Sequence, residues 1–207
     1  TSQNIKNMLE YRFNTTSDLD GHALGNLILI SLLNITGSLK ESINELRTLL
    51  DIKNKVLPLT EDANVTLMAI AMDGSIIEGE ASITKSEKKI KKLFYKEQPK
   101  VLDEVKNAIM DADLIIFSMG SLYTSIFPHI ISDEVVECLD EVNAPIMYLC
   151  NIVTQPGETD DFTVSDHINL INSYLGEHKL DAVIASNSKI SEEMALRYAN
   201  EERKDPV

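Results

Sequence analysis

Three short segments concentrate hydroxyl, amide and small residues in a way that suits an anionic or polyhydroxylated ligand. The first is Ser118-Met119-Gly120-Ser121-Leu122-Tyr123-Thr124-Ser125, directly after an apolar run. Gly120 allows a sharp turn and a close approach of backbone to ligand. Ser121, Thr124 and Ser125 add hydroxyls, and a helical turn beginning here would aim free N–H groups at a phosphate. No Lys follows in the GK[ST] arrangement, so this is not a Walker loop; an ordinary capped turn would use the same residues.

The second segment, Asn151 to Thr159, follows the next apolar run. Pro156-Gly157 marks a turn. Asn151, Thr154 and Gln155 can read a base, a sugar hydroxyl or a phosphate, and Glu158 can hold a metal or a ribose. On the alternative reading, Thr159 and Asp160 only close and cap a turn. The third segment, Asp20-Gly21-His22-Ala23-Leu24-Gly25-Asn26, opens an apolar helix. Asp20 is placed to cap, and His22 is predicted in the first turn. There the positive dipole end disfavours imidazolium and leaves a neutral donor. Asn26 falls one turn further on the same face. The segment is either a ligand wall or a polar helix start.

The remaining reactive side chains form no recognisable catalytic set. His167 follows Asp166 near a helix start, and His129 and His178 read as loop and surface residues. No Ser, His and Asp have nucleophile-elbow spacing and no HExxH occurs, so neither a classical hydrolase nor a zinc protease is supported. Cys138 and Cys150 lack CxxC spacing, which excludes a disulfide scaffold and a Cys-rich zinc site. No catalytic residue and no metal ligand is assigned.

The elements that must position these loops read as α/β. The chain has 207 residues, enough for one domain, and 43% hydrophobic residues exclude a disordered segment. Its 19 Lys+Arg against 33 Asp+Glu give a net charge of −14, which argues against non-specific nucleic-acid or anionic-membrane binding. Neither a signal peptide nor a run long enough to span a membrane is visible, so a cytoplasmic protein is expected. Helices are predicted over 4–13, over the apolar stretch 22–37, which should be buried, and from Ser38 to Leu50 with Glu41 as a capping-box partner. Strands are predicted at Lys55–Thr60, Val65–Met72 and Ile76–Ile83, the last two joined at Asp73-Gly74. The lysine-rich Thr84–Tyr95 reads as a helix whose charges form a solvated face or an anion or partner patch. From Pro99 onward, short apolar strands at 113–118, 145–150 and 180–186 alternate with helices at 100–111, 133–142, 165–175 and 191–203. That alternation implies a parallel sheet with right-handed crossovers.

Four blocks, GHALGNLIL at 21–29, GSLYTSIFP at 120–128, CNIVTQPGET at 150–159 and SDHINLI at 165–171, resemble the CofD-like family. That family joins 2-phospho-L-lactate transferases to YvcK-type gluconeogenesis factors, and the details look like the YvcK-type branch. The resemblance implies a Rossmann-like three-layer αβα fold with a mostly parallel sheet and a small β-hairpin insertion, here 55–83. It implies a nucleotide-sugar ligand such as UDP-N-acetylglucosamine, or a nucleoside diphosphate. The associated role is in gluconeogenic growth, cell-wall precursor supply and cell shape. In the transferase branch the resemblance implies a phosphotransfer with Mg2+. A homo-oligomer is also expected.

Two departures from the family pattern stand out. The family's opening strand, its GGGTG-type loop and its Asp-Asp-Gly-Gly-type segment, which would supply metal ligands, are not in this sequence. The chain therefore reads as a domain truncated at both ends. In place of the family's Gly-Pro-Gly it has Ser118-Met119-Gly120. Carried over, Gly120, Ser121, Leu122, Tyr123, Thr124 and Ser125 would cradle phosphate, with Asn151, Thr154, Gln155 and Glu158 beside the ligand. Gly21, His22 and Asn26 would close the other wall, and Tyr198 would stack on a base or else pack on the sheet.

Overall fold

The computed structural model describes residues 2–86, 88–188, 191–199 and 207, in two units, Thr1–Glu61 and Asp62–Val207. In the first, α1 (Gln3–Glu10) starts where Ser2 Oγ accepts the Ile5 N–H. It ends before Tyr11, short of the predicted residue 13. Arg12 instead pairs with Ala23 in an antiparallel bridge, flanked by Phe13 N–H to His22 O at 3.1 Å and Leu24 N–H to Tyr11 O at 2.9 Å. The apolar helix α2 (Leu24–Thr36) stops at left-handed Gly37, and α3 (Leu39–Leu49) starts where Ser38 Oγ accepts the Glu41 N–H at 3.1 Å. Helix α2 was expected to be buried, but none of its residues is, and Ile35 is 80% exposed. Its apolar residues run all round the cylinder, and within this unit α1 and α3 cover only part of it. The strand predicted at Lys55–Thr60 does not form; Pro58 has no N–H to give a ladder.

In the second unit, β1 (Leu67–Ala71) and β2 (Ile76–Glu78) make the expected hairpin, with Met68 opposite Glu78. Asp73 Oδ1 closes its turn by accepting the Ser75 N–H at 2.9 Å and the Ser75 hydroxyl at 2.6 Å. The strand predicted to reach Ile83 ends at Glu78, before Gly79, whose φ of 87° is open to glycine and strained for other residues. Helix α4 (Glu80–Lys85) follows at once.

The largest correction concerns the lysine-rich segment. Instead of a helix, residues Ile90–Tyr95 form β3, antiparallel to β1 on the side away from β2. Ile70 faces Lys92 while Ala71 faces Ile90, so Lys91 is an extra residue, a β-bulge. The bulge breaks the alternation: Ile90 and Leu93 are both buried and Lys91 and Lys92 are both exposed. A bulged strand thus presents apolar residues three apart, which is also helical spacing.

The second sheet is parallel, in the order β4 (Ile115–Phe117), β5 (Ile146–Leu149), β6 (Ala182–Ile184). Around it lie α5 (Asp103–Met110), α6 (Phe127–Ile130), α7 (Asp133–Glu141), α8 (Val164–Tyr174) and α9 (Glu192–Arg197). The parallel sheet with a small antiparallel one is the mixed α/β architecture expected from the alternation. The central strand carries the core, with Ile146 and Tyr148 fully buried. Strand β4 was read as buried, yet Ile116 is 49% exposed, because β4 is an edge of the described sheet. Phe127 stacks on Tyr174 at 4.3 Å between ring centres, and the Tyr174 hydroxyl accepts the Leu93 N–H at 2.9 Å, tying α8 to β3. Tyr198 follows α9; the part of that predicted helix beyond residue 199 lies outside the described residues.

Candidate functional site

Strands β4 and β5 run side by side in parallel, Phe117 opposite Tyr148, so the loops leaving their carboxyl ends emerge together. That end of an open α/β sheet is where ligands bind. Asn151 joins the two loops. Its Oδ1 accepts the Gly120 N–H at 3.2 Å, and its Nδ2 donates to Gly120 O at 2.8 Å. The side-chain amide thereby replaces a strand partner for Gly120 and fixes where the first loop begins. Gly120 is not in a left-handed conformation; what favours glycine is close approach, since a Cβ here would lie 3.2 Å from Ser125 Cβ, which would have to give by a few tenths of an ångström.

From Ser121 the chain enters one π-helical turn, Leu122–Ile126, in which the Ser125 and Ile126 N–H groups both donate to Ser121 O at 3.0 and 3.1 Å. Ser121 caps the turn: its Oγ accepts the Thr124 N–H at 2.9 Å and the Thr124 hydroxyl at 2.8 Å. Its own proton goes to Glu158, with contacts of 2.6 and 2.9 Å to the two carboxylate oxygens. The side chains of Leu122 and Tyr123 point into the core, 0% and 3% exposed, so only their main chain can take part in a cradle. Thr124 is half-buried and Ser125 exposed.

Glu158 is 9% exposed and held by neutral donors: the Ser121 hydroxyl, and Gln155 Nε2 at 3.2 Å from Oε1. Burial raises its carboxyl above the ordinary value, only partly offset by the Ser121 and Tyr123 donors. The rest of the second loop is stitched to itself. Gln155 N–H donates to Thr159 Oγ1, Gln155 O accepts from the N–H groups of Glu158 and Thr159, and Gly157 N–H donates to Asp160 Oδ2. Thr159 and Asp160 are therefore the turn-closing residues of the alternative reading. Thr154 is 1% exposed, enclosed by protein, so Asn151 and Gln155 are the accessible readers of this loop.

His167 lies beneath the second loop, fully buried. Its Nδ1 is 2.9 Å from Thr163 O, and its ring lies against Tyr148 and edge-on to Phe162. Thr163 and Asp166 form the capping box of α8 there. His178, read as a surface residue, is an ion-pair partner: its Nε2 is 3.0 Å from Asp181 Oδ2. His129 is in α6, not in a loop.

The third segment belongs to the first unit. Helix α2 begins at Leu24 with Ala23 as its N-cap, so His22 precedes the helix, and the dipole argument for its neutral form does not apply. His22 and Asn26 are accordingly not one helical turn apart. Asp20 caps no helix; its Oδ1 accepts the Thr15 N–H at 3.0 Å. Gly21, at φ 75°, closes the turn with its N–H on Phe13 O and its carbonyl accepting from Arg12 Nη1. His22 and Asn26 are both exposed.

Among the described residues no three His, Cys, Asp or Glu side chains converge. Both oxygens of Glu158 face the Ser121 hydroxyl. These residues do not by themselves make the oxygen cage that Mg2+ requires. A cleft of about 720 Å3 opens elsewhere, between β3 and helices α7 and α8, bordered by Lys92, Val136 and Tyr174; none of the predicted site residues lines it. No described helix is long and apolar enough to cross a membrane. What the sequence reading missed is the Ser121–Glu158 contact. The available signal was that both residues sit in loops that follow consecutive strands of one parallel sheet.

A family model described as 2-phospho-L-lactate transferase CofD matches residues 1–207. The chain is 37% identical over 198 residues to the gluconeogenesis factor of Bacillus subtilis, covering 95% of this chain and 62% of that protein. It is 37% identical over 191 residues to the gluconeogenesis factor of Listeria monocytogenes, covering 92% of this chain and 59% of that protein. A crystal structure of a UPF0052 family member from Bacillus halodurans superposes with a TM-score of 0.92 at 36% identity, over 100% of this chain and 66% of the other. The chain thus spans about three-fifths to two-thirds of the length of these relatives.

Proposed function

This chain belongs to the 2-phospho-L-lactate transferase CofD family, and from that premise we propose that it binds a nucleotide-sugar of the UDP-N-acetylglucosamine kind and acts as a regulator rather than a catalyst. Its role would lie in growth on gluconeogenic carbon sources, as the names of its relatives suggest, with cell-wall precursor supply and cell shape as outputs. The protein would work as a cytoplasmic homo-oligomer. The observation that carries the reading is the junction of the β4 and β5 loops, where Asn151 holds Gly120 and brings hydroxyl, amide and main-chain donors together at the carboxyl end of the sheet. In a chain of net charge −14, a diphosphate has to be met by such local donors and not by bulk charge. Half-buried Gln155 and Asn151 fit the sugar or the phosphates, and Tyr198 a base. Isothermal titration with UDP-N-acetylglucosamine tests this. Saturable heat and a raised melting temperature are expected; no heat and no thermal shift at millimolar ligand overturn the reading.

The description of the matched family favours a second reading, transfer of a 2-phospho-L-lactate group, for which the family resemblance implies a guanosine diphosphate carrier and a deazaflavin alcohol as acceptor. In that case the same loops would position the diphosphate and stabilise its developing charge. Product formed from a deazaflavin acceptor would support it, and its absence with saturating carrier would rule it out.

A further inference from the structure

We propose that the Glu158 carboxylate is an internal anion occupying the Ser121 hydroxyl at the head of the Ser121–Ser125 loop, so that a ligand's phosphate must displace it to bind. The inference rests on the ligand reading above and concerns what the Ser121 hydroxyl already holds.

A serine hydroxyl has one proton to give and two lone pairs to receive. At Ser121 all three are spent: the proton on Glu158, the lone pairs on the Thr124 N–H and the Thr124 hydroxyl. The Gly120 N–H is on Asn151. The hydroxyl at the head of this loop, which a phosphate would seek, is thus already engaged by a carboxylate. Carboxylate and phosphate oxygens compete for the same N–H and O–H groups with the same geometry. They also carry the same sign of charge. Glu158 is nearly enclosed, with neutral partners, so its charge is weakly screened and opposes an incoming phosphate. Its own place is costly as well, a buried carboxylate without a cationic partner. Release of Glu158 toward solvent therefore frees the Ser121 hydroxyl and removes a repulsion in one movement. The geometry is that of an autoinhibitory contact between the loops after β4 and β5.

Two probes, inorganic pyrophosphate and UDP-N-acetylglucosamine, titrated into the wild-type protein and into Glu158→Gln, test this. Gln keeps the size and an acceptor oxygen but not the charge. Affinity at least about tenfold tighter in Glu158→Gln is expected; equal or weaker affinity, with an unchanged melting temperature, overturns the proposal. Should Glu158→Gln fold poorly, a crystal of the wild-type protein with bound ligand decides. Glu158 carboxylate oxygens out of hydrogen-bond range of Ser121 Oγ support the proposal. A retained contact near 2.6 Å beside bound ligand overturns it and leaves the ligand reading standing. Absence of binding of either probe to either protein overturns the ligand reading, and this inference with it.

Discussion

The hydroxyl of Ser121 and the carboxylate of Glu158, 37 residues apart in the chain, meet at 2.6 Å. The contact binds the loop after β4 to the loop after β5 from the inside, while Asn151 binds them at the backbone. Ser121→Ala removes the cap of the π-helical turn and the main donor to a buried carboxylate. A loss of about 1–3 kcal/mol in unfolding free energy is expected, as for other buried groups left without their partner. Urea denaturation measures it; a change within about 0.5 kcal/mol, the range of ordinary surface substitutions, would mean that the contact carries no stability.

Asn151→Ala removes both bonds to Gly120. At about 0.5–1.5 kcal/mol per net hydrogen bond, the loop is expected to open locally without global unfolding. Hydrogen exchange should therefore accelerate at Gly120 while core amides such as those of Ile146 and Tyr148 stay protected. Uniform acceleration across both sets would contradict this.

Tyr174 anchors the outer edge of the antiparallel sheet, with its hydroxyl accepting the Leu93 N–H at 2.9 Å. Tyr174→Phe keeps the stack on Phe127 and orphans a part-buried amide. The expected cost is about 1–3 kcal/mol, with faster exchange at the Leu93 amide. An unchanged denaturation midpoint would show that water takes the place of the hydroxyl.

The His178–Asp181 pair makes stability depend on pH. The Asp181 carboxylate raises the pKa of His178 above 6.5, so its contribution is complete below that value and is lost as the pH rises through the raised one. Asp181 is lowered from 3.8, first by the Ile146 N–H and then by His178; its contribution is present above that value and fades as the pH falls through the lowered one. The gap in urea midpoint between wild type and Asp181→Asn should accordingly be wider near about pH 5.5 than near about pH 8.5. A gap that does not change with pH would refute the linkage.

The lysine-rich segment shows where reading the chain alone stops. Ile90, Leu93 and Phe94 stand at i, i+3 and i+4, which is the helical pattern, and nothing local distinguishes a helix from a strand with a bulge at Lys91. The choice falls to β1, whose buried Leu67, Met68 and Ala69 need a partner on the side that β2 leaves open. At His22 the error was smaller but changed the chemistry: two residues of helix boundary decide whether the imidazole feels a helix terminus.

The residue order alone carries the alternation that makes a parallel sheet, the positions of the polar loops at strand ends, and the family. Each of these is written in contiguous residues, as apolar runs, turn signals and motif blocks. Long-range packing makes Ser121 spend its proton on Glu158, turns Leu122 and Thr154 inward, and makes the lysine segment a strand. Those outcomes depend on which groups remain unsatisfied once distant segments pack, and a buried donor or acceptor takes its partner from whatever element the fold brings within about 3 Å.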